Sequence, residues 1–205
     1  MKILHISKSG TYSGMENVAI NIIKSMPDNV HSVYLTAAGS IETKLLEQDI
    51  EYIAEEKVDE EVIKRAIDEV KPDILHAYEY DCSLMCTKVT DSIPIISHLY
   101  SIPKWVQKIG PKSIIYGGAC KSFAKIIVPN EIVEKKAWFR DKMSGKTVAL
   151  GVPFNAVKIF EKGYVAGTEM TKEKLAGYKS DLLFVGYLTD DKNPYDYSFA
   201  EYERK

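Results

Sequence analysis

Over roughly the first 150 residues, short apolar runs alternate with segments whose apolar residues recur at helical spacing. Ile3–Ile6, His31–Thr36, Ile50–Ile53, Ile74–Ala77, Ile95–His98, Lys125–Val128 and Lys146–Leu150 read as strands. Several of these runs lack the strict apolar–polar alternation of a half-exposed strand. They fit strands buried on both faces. Between them, Val18, Ile22, Ile23 and Met26 line one side of a helix starting near Gly14. Asp59–Val70 is amphipathic, with Val62, Ile63, Ala66, Ile67 and Val70 inward and Glu60, Glu61, Lys64, Asp68 and Glu69 outward. Asp81 is expected to cap a helix through Val89. Trp105–Ala119 reads as helical with a break at Gly110-Pro111, and Asn130 as the cap of a helix reaching Met143. Repeated βα units of this kind predict an α/β fold: a Rossmann-like, mostly parallel sheet with helices on both faces.

The 205 residues carry 27 basic and 29 acidic side chains, a formal net charge of -2, which gives no electrostatic reason to expect a nucleic-acid partner. Cys82, Cys86 and Cys120 are too few, and odd in number, for a disulfide framework, and fit a reducing cytoplasm. Cys82 and Cys86 share a helix face but have no second pair to complete a zinc site, so they read as small core residues and no metal is expected. The first apolar run is too short for a signal peptide, and no stretch approaches the ~18 apolar residues of a membrane span. A cytoplasmic protein is expected, with peripheral contact at the inner face of the membrane left open.

Ligands of parallel sheets sit at the carboxyl ends of the strands. There the sequence places Ser7, Gly10, Ser13 and Gly14 after the first strand. His76, Tyr78, Glu79, Tyr80 and Asp81 follow the Ile74 strand; His98, Tyr100 and Ser101 follow the Ile95 strand; Pro129 and Asn130 follow the Lys125 strand. The rim is polar, aromatic and rich in histidine. Gly10 and Gly14 do not have the G-x-G-x-x-G spacing, and no P-loop Lys-Ser/Thr pair follows. A glycine before a helix still lets backbone N–H groups approach an anion. His98, ending an apolar strand, has a side chain that can donate, accept or exchange a proton. Glu79 and Asp81 can serve as base, sugar ligand or helix cap. His5 and His31 read as structural.

The order of these stretches resembles the N-terminal half of GT-B glycosyltransferases, in particular the retaining, nucleotide-sugar-dependent family 4. MKILHISKSGTYSGMENVAINII is similar to that family's first strand and glycine loop. DILHAYEYD is similar to its D-hydrophobic-hydrophobic-H-x-H strand, and IPIISHLYS to its P-hydrophobic-hydrophobic-x-T/S-x-H strand. AKIIVPNEIVEKKAWFRDKMSGKTVALGVPFNAVKIF resembles its V-x-S…N-G-V…F segment, and LLFVGYLTDDKNP the start of the second domain. Ser13 stands for the first glycine of the family's pair, Tyr78 for the second histidine, and Leu150 for the usual asparagine.

The resemblance implies an acceptor-side domain over residues 1–150, a linker over 151–181 and a stub of the donor-binding domain over 182–205. It implies Ser13 and Gly14 near a donor diphosphate and His98 as the catalytic residue near the transferred sugar. His76, Tyr78, Glu79, Asp81 and Tyr100 are expected toward acceptor or sugar. No cofactor is implied beyond a nucleotide-sugar substrate. The acceptor would be a glycan or lipid-linked glycoconjugate. Two GT-B domains need about 350 residues, so the chain is expected to lack most of its donor domain. It would then be inactive alone, or pair with a second chain or with its own copies. The alternative expectation is a non-catalytic subunit or assembly module, because the strand at Leu182–Leu188 would carry exposed edges. A Rossmann oxidoreductase or a nucleotide-sugar epimerase is disfavoured by the missing dinucleotide fingerprint and the absence of a well-placed Tyr-x-x-x-Lys pair.

Overall fold

The computed structural model of the chain describes residues 1–100 and 103–150. Seven strands form one parallel sheet: β1 (Lys2–Ile6), β2 (His31–Ala37), β3 (Glu51–Glu55), β4 (Ile74–Tyr78), β5 (Ile95–His98), β6 (Phe123–Val128) and β7 (Thr147–Ala149). Their spatial order is β3-β2-β1-β4-β5-β6-β7. The chain winds outward from β1 to β3, then returns to the other side of β1 at β4. That reversal opens a crevice between the carboxyl ends of β1 and β4, the place where open parallel sheets bind ligands.

The strand side chains separate by parity, since successive residues point to opposite faces. Leu4, Ile6, Val33, Leu35, Leu75, Ala77, Ile95, Ile126 and Val128 form one buried layer. It is covered by α3 (Glu60–Val70), α4 (Glu79–Val89) and α5 (Pro111–Ala119), which contribute Ile63, Cys82, Cys86 and Tyr116. On the other face Tyr34 and Tyr78 pack with Ala19 and Ile20 of α1 (Gly14–Lys24) and Ile41 and Leu45 of α2 (Ile41–Glu47). All three cysteines are buried free thiols. Burial pushes the Cys82 thiol up to about 12 and the Cys120 thiol to about 11, so they serve as core residues and not as nucleophiles.

Two helices differ from expectation. Asp81 does not cap α4. That helix begins two residues earlier, at Glu79, with Tyr78 in extended conformation at the cap position. Asp81 instead lies in its first turn, where a carboxylate favours the helix dipole. The helix expected from Asn130 to Met143 is two short ones, α6 (Glu131–Lys136) and α7 (Arg140–Met143). Asn130 does cap α6, its side chain accepting from the Ile132 N–H at 3.0 Å. Ala137 then leaves helical geometry, so that Ala137 and Phe139 both reach the core while the Trp138 N–H donates to the Val106 carbonyl at 2.8 Å. Burying two residues only two apart is incompatible with one straight helix face. The linker, the Leu182–Leu188 strand, the domain boundaries at 150 and 181, and Ser101 lie outside the described residues.

Candidate functional site

The glycines of the first loop have separate jobs. A Cβ on Gly10 would lie 2.4 Å from the Ala38 carbonyl oxygen and 2.9 Å from that of Ala37. Gly10 therefore lets the β1–α1 and β2–α2 loops touch, and its own carbonyl accepts from the Ile41 N–H at 3.1 Å. Gly14 is the residue at the rim. A Cβ there would stand 2.9 Å from the Tyr100 hydroxyl, so the start of α1 and the end of β5 meet at this point.

A residue that sequence reading left out fills this helix start. Glu16, the third residue of α1, is fully buried and turns its carboxylate back to Ser13. The Ser13 N–H donates to Glu16 Oε2 at 3.0 Å, and the Ser13 hydroxyl donates to the same oxygen. The spacing S-x-x-E was the available signal for this capping arrangement. Glu16 Oε1 is buried with no hydrogen-bond partner among the described residues. Ser13 thus spends both donors on Glu16, and an anion arriving at the start of α1 meets a carboxylate already there.

Beneath the rim runs a polar ladder through the sheet. Register pairs His5 with His76 and Tyr78 with His98. All four side chains point to one face and all are buried. His76 Nε2 and His98 Nδ1 are 3.2 Å apart, with the two rings nearly parallel. The Tyr78 hydroxyl lies 3.1 Å from His5 Nδ1 and 3.5 Å from His76 Nδ1. His5 Nε2 reaches the Ser32 hydroxyl at 3.3 Å. The chain Ser32–His5–Tyr78–His76–His98 can be polarised in either direction, because each neutral imidazole carries one N–H and one lone pair. In one polarity His98 Nε2 is a donor, in the other an acceptor. Burial holds all three imidazoles neutral. His98 falls to about 4 and His5 to about 3, and His76 drops well below its usual value through burial and then its histidine neighbours. His98 is thereby a hydrogen-bonding group at neutral pH and a weak base. His31 stands apart, exposed and 2.8 Å from the Glu51 carboxylate.

Glu79 is placed under backbone strain. Its φ is 66°, the left-handed region that side chains with a Cβ rarely adopt. The Ser83 hydroxyl donates to the Glu79 carbonyl at 2.7 Å. Ser83 must then accept from Ser97 at 2.7 Å, and Ser97 from Tyr116 at 2.6 Å. Each hydroxyl has one proton, so this chain has a single direction and pins the carbonyl. Burial raises the Glu79 carboxyl above the usual carboxylate value, against a backbone hydrogen bond from Tyr100 that lowers it. Such conformations collect at functional sites. Asp81 is exposed and 3.6 Å from the Lys8 ammonium. His76 and Tyr78 lie inside the sheet, whereas Gly14, Glu79 and Tyr100 reach the rim and His98 ends the ladder just below it.

Two cavities among the described residues lie elsewhere. One of about 470 Å³ is walled by α6, α7 and β7, and one of about 730 Å³ sits among Pro27, His31 and Glu51 at the opposite edge of the sheet. Among the described residues no group of histidine, cysteine and carboxylate side chains has the arrangement to hold a metal. No helix among them is long and apolar enough to cross a membrane.

No family model matches the sequence, and no curated protein matches it. Solved structures do. HepE of Anabaena, in complex with UDP and glucose, aligns over 82% of this chain and 50% of its own, at 16% identity and a TM-score of 0.64. A glycosyltransferase from Rickettsia africae aligns over 85% and 47%, at 18% identity and a TM-score of 0.52. UDP-N-acetylglucosamine 2-epimerase from Rickettsia bellii aligns over 86% and 51%, at 14% identity and a TM-score of 0.52. The chain spans about half the length of these structures. The likeness is one of fold: a Rossmann-like α/β sheet shared with part of larger GT-B-type proteins named for sugar transfer and for sugar epimerisation.

Proposed function

We propose that this chain is the acceptor-side half of a family 4-like, retaining glycosyltransferase, moving a sugar from a nucleotide sugar to a glycan or lipid-linked acceptor. The observation that carries the reading is the rim at the β1–β4 crevice. There Gly14, Tyr100 and Glu79 gather above the neutral His98, next to buried Glu16. Carboxylates and a neutral imidazole suit hydroxyl groups, which donate to the first and either donate to or accept from the second. They suit a diphosphate poorly. The Lys8 ammonium is already paired, 3.6 Å from Asp81, and a departing diphosphate needs positive charge or aimed donors. In this reading Gly14 approaches the donor diphosphate through its backbone N–H while Ser13, held by Glu16, shapes the loop around it, His98 hydrogen-bonds the transferred sugar, and Glu79, Asp81 and Tyr100 hold acceptor hydroxyls. His76 and Tyr78 act from beneath, through His98. The donor's cations come from outside the described residues, with a second chain or a second copy as the proposed source.

The test is a transfer assay with the purified full chain, alone and with the product of an adjacent reading frame, across UDP-sugars. No transfer alone and transfer with the partner is expected. Robust transfer by the chain alone overturns the need for a partner. The fold's likeness to a 2-epimerase supplies the second reading, and conversion of UDP-N-acetylglucosamine to its C2 epimer in the same incubation would select it.

A further inference from the structure

The outward side of α5 has the wrong chemistry for a helix facing water. A helix lying on a sheet turns its apolar stripe inward and its polar residues out. α5 buries Ser113, Tyr116 and Gly117. Its exposed side carries Ile114 and Ile115, 52% and 54% exposed. At 100° per residue, Pro111, Ile114, Ile115 and Gly118 share that side, and all four are exposed. Ile109, 68% exposed, extends the patch into the turn leading to the helix.

Along the chain, the charge flanking this patch is of one sign. Residues 92–130 contain five lysines and no aspartate or glutamate, although the whole chain has 29 acidic residues. Lys104, Lys108, Lys112 and Lys121, all exposed, flank the isoleucines in sequence before, within and after the helix. Apolar side chains bordered by lysines, with no carboxylate among them, are the composition of a surface that sits in the headgroup layer of an anionic membrane.

We propose that the α5 face docks on an anionic lipid surface, with Ile109, Ile114 and Ile115 entering the headgroup–acyl boundary and the lysines contacting lipid phosphates. A second copy of the chain fits this face less well, because pairing α5 with α5 brings the lysines of two copies together. α1 packs on the opposite face of the sheet from α5, so docking leaves the Gly14 side of the rim open to solvent. The inference rests on the surface of α5 alone and stands whether or not the chain transfers sugar.

Flotation of the full-length chain with vesicles tests it. The chain should float with vesicles of phosphatidylcholine containing about one-third phosphatidylglycerol, not with phosphatidylcholine alone, and should be released as salt shortens the Debye length. The double variants Ile114→Asp/Ile115→Asp and Lys108→Glu/Lys112→Glu should each weaken partitioning about tenfold or more, with an unchanged circular dichroism spectrum, because all four side chains are exposed. Absence of binding to the anionic vesicles overturns the proposal, as does binding that both double variants leave intact. A stable dimer of the free chain that Ile114→Asp/Ile115→Asp dissociates would assign the face to a second copy and overturn it as well.

Discussion

Three imidazoles buried together, with no carboxylate partner among the described residues, make the fold sensitive to acid. In the unfolded chain each titrates near 6.5, whereas in the fold His98 and His5 titrate near 4 and 3 and His76 well below normal. Above pH 6.5 both states are neutral and the ladder is fully stabilising. Below it the unfolded state takes up protons first, and stability declines until the folded values are reached. Each group then contributes a slope of up to about 1.4 kcal/mol per pH unit. Urea melts at pH 7 and pH 5 should show the midpoint falling, and His5→Gln or His76→Gln should flatten that dependence. Tyr78→Phe removes the hydroxyl that joins His5 to His76. Nitrogen shifts of 15N-labelled histidines should then report an altered Nδ1/Nε2 tautomer balance at His98, and unchanged shifts would show that the ladder carries no polarity to the rim. Glu16 is the residue-scale surprise. Glu16→Gln removes a negative charge at the start of α1, and UDP titrated by NMR should bind several-fold more tightly. Equal affinity would separate Glu16 from any diphosphate position.

Individual elements are held by local devices that sequence spacing partly announces. Asp59 caps α3, its side chain accepting from the Val62 N–H at 3.1 Å; Asp59→Ala should cost about 1 kcal/mol in denaturant titrations. The same helix ends on Lys71 with φ 52°, a left-handed position that favours glycine. Lys71→Gly should therefore stabilise by up to about 1 kcal/mol. Both ends of α3 were readable from the amphipathic period running from Asp59 to Val70. The start of α4 was not. Asp81 has the chemistry of a cap, but the left-handed Glu79 and the Tyr116–Ser97–Ser83 hydroxyl chain begin the helix earlier, and these partners come from three different elements. The split between α6 and α7 escaped notice for a similar reason. Helical periodicity does not register that Ala137 and Phe139 are both drawn into the core.

At the scale of the whole molecule, close contact between the β1–α1 and β2–α2 loops holds the first loop in place. Gly10→Ala drives a Cβ into the backbone of Ala37 and Ala38. It should destabilise by about 1–3 kcal/mol, read as a lowered denaturant midpoint. The fold class was legible because apolar runs buried on both faces, separated by amphipathic helices, admit few arrangements other than a parallel sheet. The rim was legible as well, since parallel strands deliver their carboxyl ends to one edge. That His98, Glu79, Tyr100 and Gly14 follow strand ends could be read without coordinates.

The order of apolar and polar residues along the chain is local information. It determined the elements, the parallel sheet and the edge at which polar groups gather. Which of those groups reach the surface depended on packing across strands distant in sequence. Register set His5 against His76 and Tyr78 against His98, so residues that looked like surface ligands or isolated structural histidines became one buried, neutral network. Backfolding of Glu16 onto Ser13 put a carboxylate where a phosphate had been expected. Burial sets charge state and reach, and burial is a property of neighbours that only the tertiary structure brings together.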